Sequence, residues 1–299
     1  MSTSQREAII ARLRAFPFDL NQIVEEHRRG FEAFAVEPVP ADTAVEEVTL
    51  GGRPALRLTP DGADSGTLLY LHGGGYVVGS HRTGAKLARL VAERAGLEAY
   101  SLDYRLAPEH PFPAAVEDAV AAYRELIERG ADPSTLVVAG DSAGGGLAIS
   151  ILVAVRDAGL PMPIAAVVFS PLTDQTHSGQ SIHGLDGVDP LFTPEALDWY
   201  GPKYVGSADP ASPLASPLFA DLAGLPPLLI QVGGHELLLD DSIGLARAAA
   251  LADVEVRLEV GAALPHVFQN RAGELDEAEE ALDRAGAFIR AQLSSAVLV

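Results

Sequence analysis

Short apolar segments alternate with helical patterns along most of this 299-residue chain. The continuous apolar runs predict strands at residues 67–72, 99–104, 136–139, 165–170, 228–232 and 254–260. Helices are predicted between most of them, for example at residues 84–94, 114–129 and 143–157. Apolar strands that are joined by helices form a mostly parallel sheet with both faces covered. The alternation therefore predicts an α/β fold with helices flanking such a sheet.

Two further strands precede this alternation and bring the predicted sheet to eight strands. Residues 44–50 and 53–59 flank the dipeptide Gly51-Gly52, which suits a tight hairpin turn. Because strands joined by a hairpin are antiparallel, we expect this pair to form an antiparallel edge on the parallel sheet.

Two segments do not follow the strand–helix alternation. Residues 4–37 have the apolar spacing of helices and end at a proline-rich stretch. Residues 173–225 are rich in proline, glycine and serine, with one predicted helix near residues 194–204. Because long insertions in compact domains usually serve as lids or functional loops, we expect the two segments to form a small helical cap.

Charge and composition limit the classes of partner. The formal net charge of −20 repels phosphate backbones, so we expect no nucleic-acid partner and a small neutral or apolar substrate. No apolar stretch reaches the ~18 residues of a membrane span, and the start of the chain lacks the features of a signal peptide. The chain has no cysteine, which excludes disulfides, thiolate metal sites and a cysteine nucleophile. These observations predict a cytoplasmic protein.

A glycine-rich turn follows the predicted strand at residues 136–139. The run Gly140-Asp141-Ser142-Ala143-Gly144 lies between this strand and a predicted helix. Strand, G-x-S-x-G and helix in this order form a nucleophile elbow, which presents the serine hydroxyl above the sheet at a helix N-terminus. The alternative is a glycine-rich turn that only caps the helix. The context favours Ser142 as a nucleophile.

A second glycine run follows an earlier predicted strand. His72-Gly73-Gly74-Gly75 has the H-G-G-G form of an oxyanion loop, in which glycine lets backbone N–H groups approach an anionic oxygen. We predict the N–H groups of Gly73, Gly74 and Ala143 as donors, with Gly75 as a substitute for one of the first two. The run lacks the spacing and the lysine of phosphate-binding loops. His72 is expected to have a structural role.

The remaining catalytic residues should follow the nucleophile in the order acid, then histidine. His266 follows the predicted last strand through a short loop and is the predicted base, whereas His235 is adjacent to the acid candidate in sequence. Glu236 lies just beyond the strand at residues 228–232 and is the predicted acid. Asp240 remains an alternative, although acids at the start of a helix commonly act as caps.

These motifs together resemble the bacterial hormone-sensitive-lipase family of carboxylesterases, from about Pro54 onward. The resemblance rests on H-G-G-G-Y at residues 72–76, D-Y-R-L-A-P-E at 103–109, G-D-S-A-G-G at 140–145, Ser170-Pro171, Asp189-Pro190 and P-H-V-F at 265–268. The chain departs from it at Glu236-Leu237-Leu238, where many relatives have Asp-Pro-Leu. The segment at 103–109 carries no nucleophile and looks structural.

The resemblance implies an α/β-hydrolase fold with an N-terminal helical cap segment at residues 1–45 and a catalytic domain at residues 46–299. The domain would carry a cap insertion at about residues 175–225. The resemblance also implies a pocket for short acyl chains, and it is compatible with a homodimer formed through the last strand. The implied enzyme is a serine carboxylesterase that hydrolyses short- to medium-chain acyl esters through an acyl-enzyme.

That chemistry needs neither a metal nor an organic cofactor. Two alternatives remain open. One is hydrolysis or transfer of another acyl group, such as that of an acetylated small molecule, a lactone or an amide. The other is a ligand receptor of the same fold, but such receptors lose the triad histidine that His266 provides here.

Overall fold

An eight-stranded sheet forms the centre of the computed structural model, which describes residues 3–15 and 19–296. The strand order is β1-β2-β4-β3-β5-β6-β7-β8. The strands are β1 Thr43–Leu50, β2 Arg53–Pro60, β3 Thr67–Leu71, β4 Glu98–Leu102, β5 Leu136–Asp141, β6 Ala165–Phe169, β7 Leu228–Gly233 and β8 Val256–Gly261. The pairs β1–β2 and β2–β4 are antiparallel, and the other five pairs of neighbouring strands are parallel. The predicted mostly parallel sheet and its antiparallel edge hairpin are confirmed.

Helices cover both faces of this sheet. They are α1 Thr3–Arg14, α2 Val24–Ala35, α3 Ala85–Ala95, α4 Ala114–Glu128, α5 Ala143–Asp157, α6 Ser181–Gly184, α7 Pro194–Val205, α8 Leu239–Leu251 and α9 Asp276–Ala296. Buried residues of α4, α5 and α8 form one hydrophobic cluster, and those of α3 and α9 form another. The inner strands β3, β5, β6 and β7 are buried along their whole length, as parallel strands covered on both faces must be.

The N-terminal segment forms two separate helices. Helix α1 ends at Arg14 and α2 begins at Val24. Between them the side chain of Asp19 accepts a hydrogen bond from the N–H of Asn21 at 3.0 Å, the local pattern by which Asp favours turns over helix. The first strand begins at Thr43, so the sheet starts just before the predicted boundary at residue 45.

The motif at residues 103–109 makes structural contacts, as the sequence indicates. The Tyr104 hydroxyl donates to the carbonyl oxygen of His72 at 2.7 Å, which anchors the loop after β3. The Arg105 guanidinium pairs with the Asp118 carboxylate of α4 at 2.7 Å. The carboxylate of Glu109 accepts hydrogen bonds from Nη1 of Arg28 at 2.9 Å and from Nη2 at 2.6 Å. These bonds link helix α2 to the motif.

Strand β8 lies at one end of the sheet, and within the described part of the chain it pairs only with β7. Val260 on this strand is half exposed. The family resemblance is compatible with a homodimer that forms through this strand. Within residues 3–15 and 19–296, no helix has the length and apolar character needed to cross a membrane.

Candidate active site

The turn between β5 and α5 holds Ser142 in a strained backbone conformation. Its φ is 53° and its ψ is −121°, a region that residues other than glycine rarely adopt. The Ser142 N–H donates to the carbonyl oxygen of Phe169 at 2.8 Å, and its own carbonyl oxygen accepts from the Leu172 N–H at 2.9 Å. These contacts stabilise the sharp turn that a nucleophile elbow requires.

Close packing behind this turn explains why residue 144 is a glycine. A Cβ atom on Gly144 would lie 2.0 Å from the carbonyl oxygen of Leu71 at the end of β3. Helix α5 therefore begins directly against the neighbouring strand. Ala143 is the first residue of α5, a position at which the backbone N–H has no acceptor within the helix.

The structure brings His266 and Glu236 together. His266 follows β8, Glu236 follows β7, and the Nδ1 atom of His266 lies 3.2 Å from Oε1 of Glu236. Both side chains are almost completely buried. Asp240 makes a different contact, since its Oδ2 atom accepts the N–H of Ser181 at 2.9 Å. The N–H of His235 donates to the carbonyl oxygen of Leu264 at 3.0 Å.

The environment of His266 favours its protonated form. Burial alone would lower the pKa of His266, but the carboxylate of Glu236, followed by those of Asp189 and Asp141, outweighs burial and raises this pKa above 6.5. A proton that His266 takes up during a reaction would therefore be stabilised by nearby negative charge.

Ser170 also contacts this pair, a role that the sequence analysis did not assign. Its hydroxyl donates to Oε2 of Glu236 at 2.7 Å and accepts the N–H of Val267 at 3.0 Å. The N–H of Gly233 donates to the same Glu236 oxygen at 3.0 Å. With Oε2 held by two donors, Oε1 remains for His266. The Ser170-Pro171 dipeptide at the end of β6 was the sequence signal for this role.

The N–H of Gly73, one of the predicted oxyanion donors, has an acceptor within the protein. The N–H of Gly73 donates to Oδ1 of Asp141 at 3.1 Å, and a Cβ atom on Gly73 would lie 2.3 Å from Oδ2 of the same carboxylate. Gly73 is therefore engaged with the nucleophile turn, whereas Gly74 and Gly75 line the cavity that also contains Ser142.

Asp141 acts as the anchor of this loop. It also accepts a hydrogen bond from the Tyr70 hydroxyl at 2.8 Å. Burial raises the pKa of Asp141 to about 6, although the bonds from Tyr70 and Gly73 favour the ionised form. His72 is buried and stacks on Tyr104 with ring centroids 4.2 Å apart, and burial lowers its pKa to about 4. A neutral His72 in this setting fits the expected structural role.

A cavity of about 580 Å³ opens above Ser142 and His266. Helices α1 and α2 line it on one side, and the segment that contains α7 lines it on another. Its wall is largely apolar and includes Leu13, Phe31, Phe34, Leu172, Leu197 and Tyr200. Both segments that the sequence assigns to a cap therefore contribute to the wall of one cavity.

Asp189 connects this wall to the acid residue. Its Oδ1 atom accepts the N–H groups of Leu191 at 2.8 Å and Phe192 at 3.1 Å, and its Oδ2 atom accepts that of Leu237 at 2.9 Å. Phe192 in turn lies edge-on to the His266 ring, with centroids 5.2 Å apart. One carboxylate thus fixes a cavity-lining loop next to Glu236 and His266.

Known proteins with similar sequences are hydrolases. A family model of the alpha/beta hydrolase fold matches residues 68–270. An acetyl-hydrolase of Streptomyces hygroscopicus is 44% identical over 262 residues, which cover 88% of this chain and 87% of that protein. Esterase LipI of Mycobacterium tuberculosis is 35% identical over 300 residues, which cover 94% of this chain and 93% of that protein.

Solved structures agree with these sequences. An esterase from the bacterial hormone-sensitive lipase family is 43% identical with a TM-score of 0.93, over 98% of this chain and 99% of that one. EstE5, whose crystal was soaked with p-nitrophenyl butyrate, is 40% identical with a TM-score of 0.94, over 98% of this chain and all of that one.

The fold and the nucleophile turn define an α/β hydrolase. At this identity and coverage, the chain belongs to the bacterial hormone-sensitive lipase family. The family and the esterase class that the sequence motifs predict are thereby confirmed.

Proposed function

We propose that this protein is a serine carboxylesterase that hydrolyses small neutral or apolar esters of short to medium acyl chain length. The observation that carries the proposal is the convergence of Ser142 and the His266–Glu236 pair on one largely apolar cavity. A cavity of about 580 Å³ is of the size that holds a small organic ligand. Residues 1–45 and about 175–225 would form the cap over it.

In the proposed reaction the Ser142 hydroxyl attacks the ester carbonyl carbon while His266 takes its proton. Glu236 would hold the imidazole by its Nδ1 atom and stabilise the imidazolium that forms. Collapse of the tetrahedral intermediate breaks the ester C–O bond, and His266 returns the proton to the leaving alcohol. Water then attacks the acyl-enzyme by the same steps and releases the acid.

The proposed oxyanion hole consists of the N–H groups of Gly74, Gly75 and Ala143. Each such donor stabilises a tetrahedral oxyanion by roughly 3 kcal/mol. Gly73, which the sequence analysis included, would act indirectly, because its N–H is bound to Asp141 and holds the loop in position.

Substitution of the nucleophile tests the proposal. We expect Ser142→Ala to lower kcat for p-nitrophenyl butyrate by at least about 1,000-fold, because no other group can form the acyl-enzyme. Ser150→Ala is a matched control, since Ser150 is a buried serine of α5 whose hydroxyl bonds the carbonyl oxygen of Gly146. Near-normal turnover by Ser142→Ala, or no hydrolysis of any simple ester by the unmodified protein, would overturn the proposed function.

A further inference from the structure

One buried polar side chain in the cavity wall has an unused hydrogen-bonding atom. Gln175 lines the cavity, and only 7% of its surface is exposed. Its Nε2 atom has no hydrogen-bond partner among the described residues. A buried amide donor without an acceptor is unfavourable, so it is a natural position for a ligand group that accepts a hydrogen bond.

The backbone holds Gln175 in a defined place near the nucleophile. The Gln175 N–H donates to the Ser216 hydroxyl at 2.7 Å. Three residues earlier, the Leu172 N–H donates to the carbonyl oxygen of Ser142 at 2.9 Å. The backbone of the segment that carries Gln175 is therefore fixed directly to the nucleophile turn.

The side chains of His177 and Gln175 both lie near Gly201 of α7. A Cβ atom on Gly201 would lie 3.8 Å from Nε2 of His177 and 3.9 Å from Oε1 of Gln175. All three residues line the cavity. The absence of a side chain at Gly201 therefore leaves room next to two polar groups. Leu172 and Leu197 of the same wall are apolar, so the polar pair lies in the same cavity as a surface suited to an apolar part of a ligand.

The hydrogen bonds available here define the chemistry of a ligand. Nδ1 of His177 lies 3.3 Å from Oδ1 of Asp198, so with the proton on Nδ1 the Nε2 atom of His177 is an acceptor. Gln175 supplies a donor in Nε2 and an acceptor in Oε1. A group that both accepts and donates, as a secondary amide or a hydroxyl does, can satisfy this set.

We propose that Gln175, assisted by His177, is a specificity-determining residue that recognises a secondary amide group in one half of the ester. The proposal rests on the proposed esterase function and specifies its substrate class. The preferred substrate is then an ester with an apolar part and one polar group, rather than a simple alkyl ester. In the bound ester, the polar group would lie next to Gly201.

Two pairs of esters of equal chain length measure this recognition. For the acyl half, p-nitrophenyl N-acetylglycinate is compared with p-nitrophenyl pentanoate. For the alcohol half, 2-acetamidoethyl acetate is compared with pentyl acetate. The readout is the ratio of kcat/KM for the amide ester to kcat/KM for the alkyl ester, because differences in intrinsic reactivity cancel when variants are compared.

We expect Gln175→Met to lower this ratio by about tenfold in one of the two pairs, the factor that a neutral hydrogen bond contributes. The same substitution at Gln180, which lies outside the cavity wall, should leave both ratios unchanged. Gln175→Leu is measured in the same way if the methionine variant does not fold. Unchanged ratios in both pairs, with alkyl esters still hydrolysed, would overturn this inference and leave the proposed function intact.

Discussion

The Ser170 hydroxyl and the Glu236 carboxylate form a hydrogen bond of 2.7 Å at the buried end of the candidate triad. The same hydroxyl accepts the N–H of Val267 at 3.0 Å, the residue after His266. A single hydroxyl group thus connects the acid to the loop of the base. Ser170 follows β6, which lies between β5, the strand before Ser142, and β7, the strand before Glu236.

We expect Ser170→Ala to lower kcat about tenfold with little change in KM. The substitution removes one of two donors to Oε2 of Glu236 and leaves the Val267 N–H without its acceptor, which loosens the orientation of His266. Steady-state kinetics with p-nitrophenyl butyrate measures this effect. Ser242→Ala, at a buried serine of α8, is the control. Equal kinetics in both variants would contradict the connecting role of Ser170.

The two acid candidates can be separated by isosteric amides. Glu236→Gln should lower kcat by about 100-fold or more, because the amide cannot stabilise an imidazolium at His266. Asp240→Asn should leave kcat within about threefold, because Asp240 contacts the Ser181 backbone instead of the histidine. The reverse order of effects would transfer the role of acid to Asp240.

The raised pKa of His266 predicts the pH dependence of the reaction. A general base must be neutral to take a proton, so kcat/KM should rise with pH through the pKa of His266, at a midpoint above 6.5. Among the charges that raise this pKa, Glu236 is the largest contributor. The midpoint in Glu236→Gln should therefore move to lower pH. An unchanged midpoint in that variant would show that another group controls the profile.

Cavity size predicts the range of acyl chains. We expect kcat/KM for p-nitrophenyl esters to be highest for short acyl chains and to fall beyond about eight carbons, because the cavity is of the size that holds a small ligand. A series from acetate to palmitate checks this. A preference for palmitate or for emulsified triglycerides would be inconsistent with a cavity of about 580 Å³.

Much of the fold follows from local patterns in the sequence. The predicted strand at residues 136–139 and helix at 143–157 correspond to β5 and α5, because an apolar run and helical spacing are properties of neighbouring residues. The helices predicted within residues 4–37 correspond to α1 and α2. Apolar spacing continues across the break and does not detect the turn at Asp19.

The sequence alone determined the strand–helix order, and it predicted Ser142 and His266, with Glu236 favoured over Asp240, because each candidate lies in a short motif just after a strand. Only the tertiary structure decided that the N–H of Gly73 is bound to the Asp141 carboxylate. Parallel pairing of β3 with β5 sets Leu71 opposite Gly140, and this register brings Gly73 next to Asp141. The contact joins residues that are 68 positions apart in the chain, so no local pattern could have predicted it.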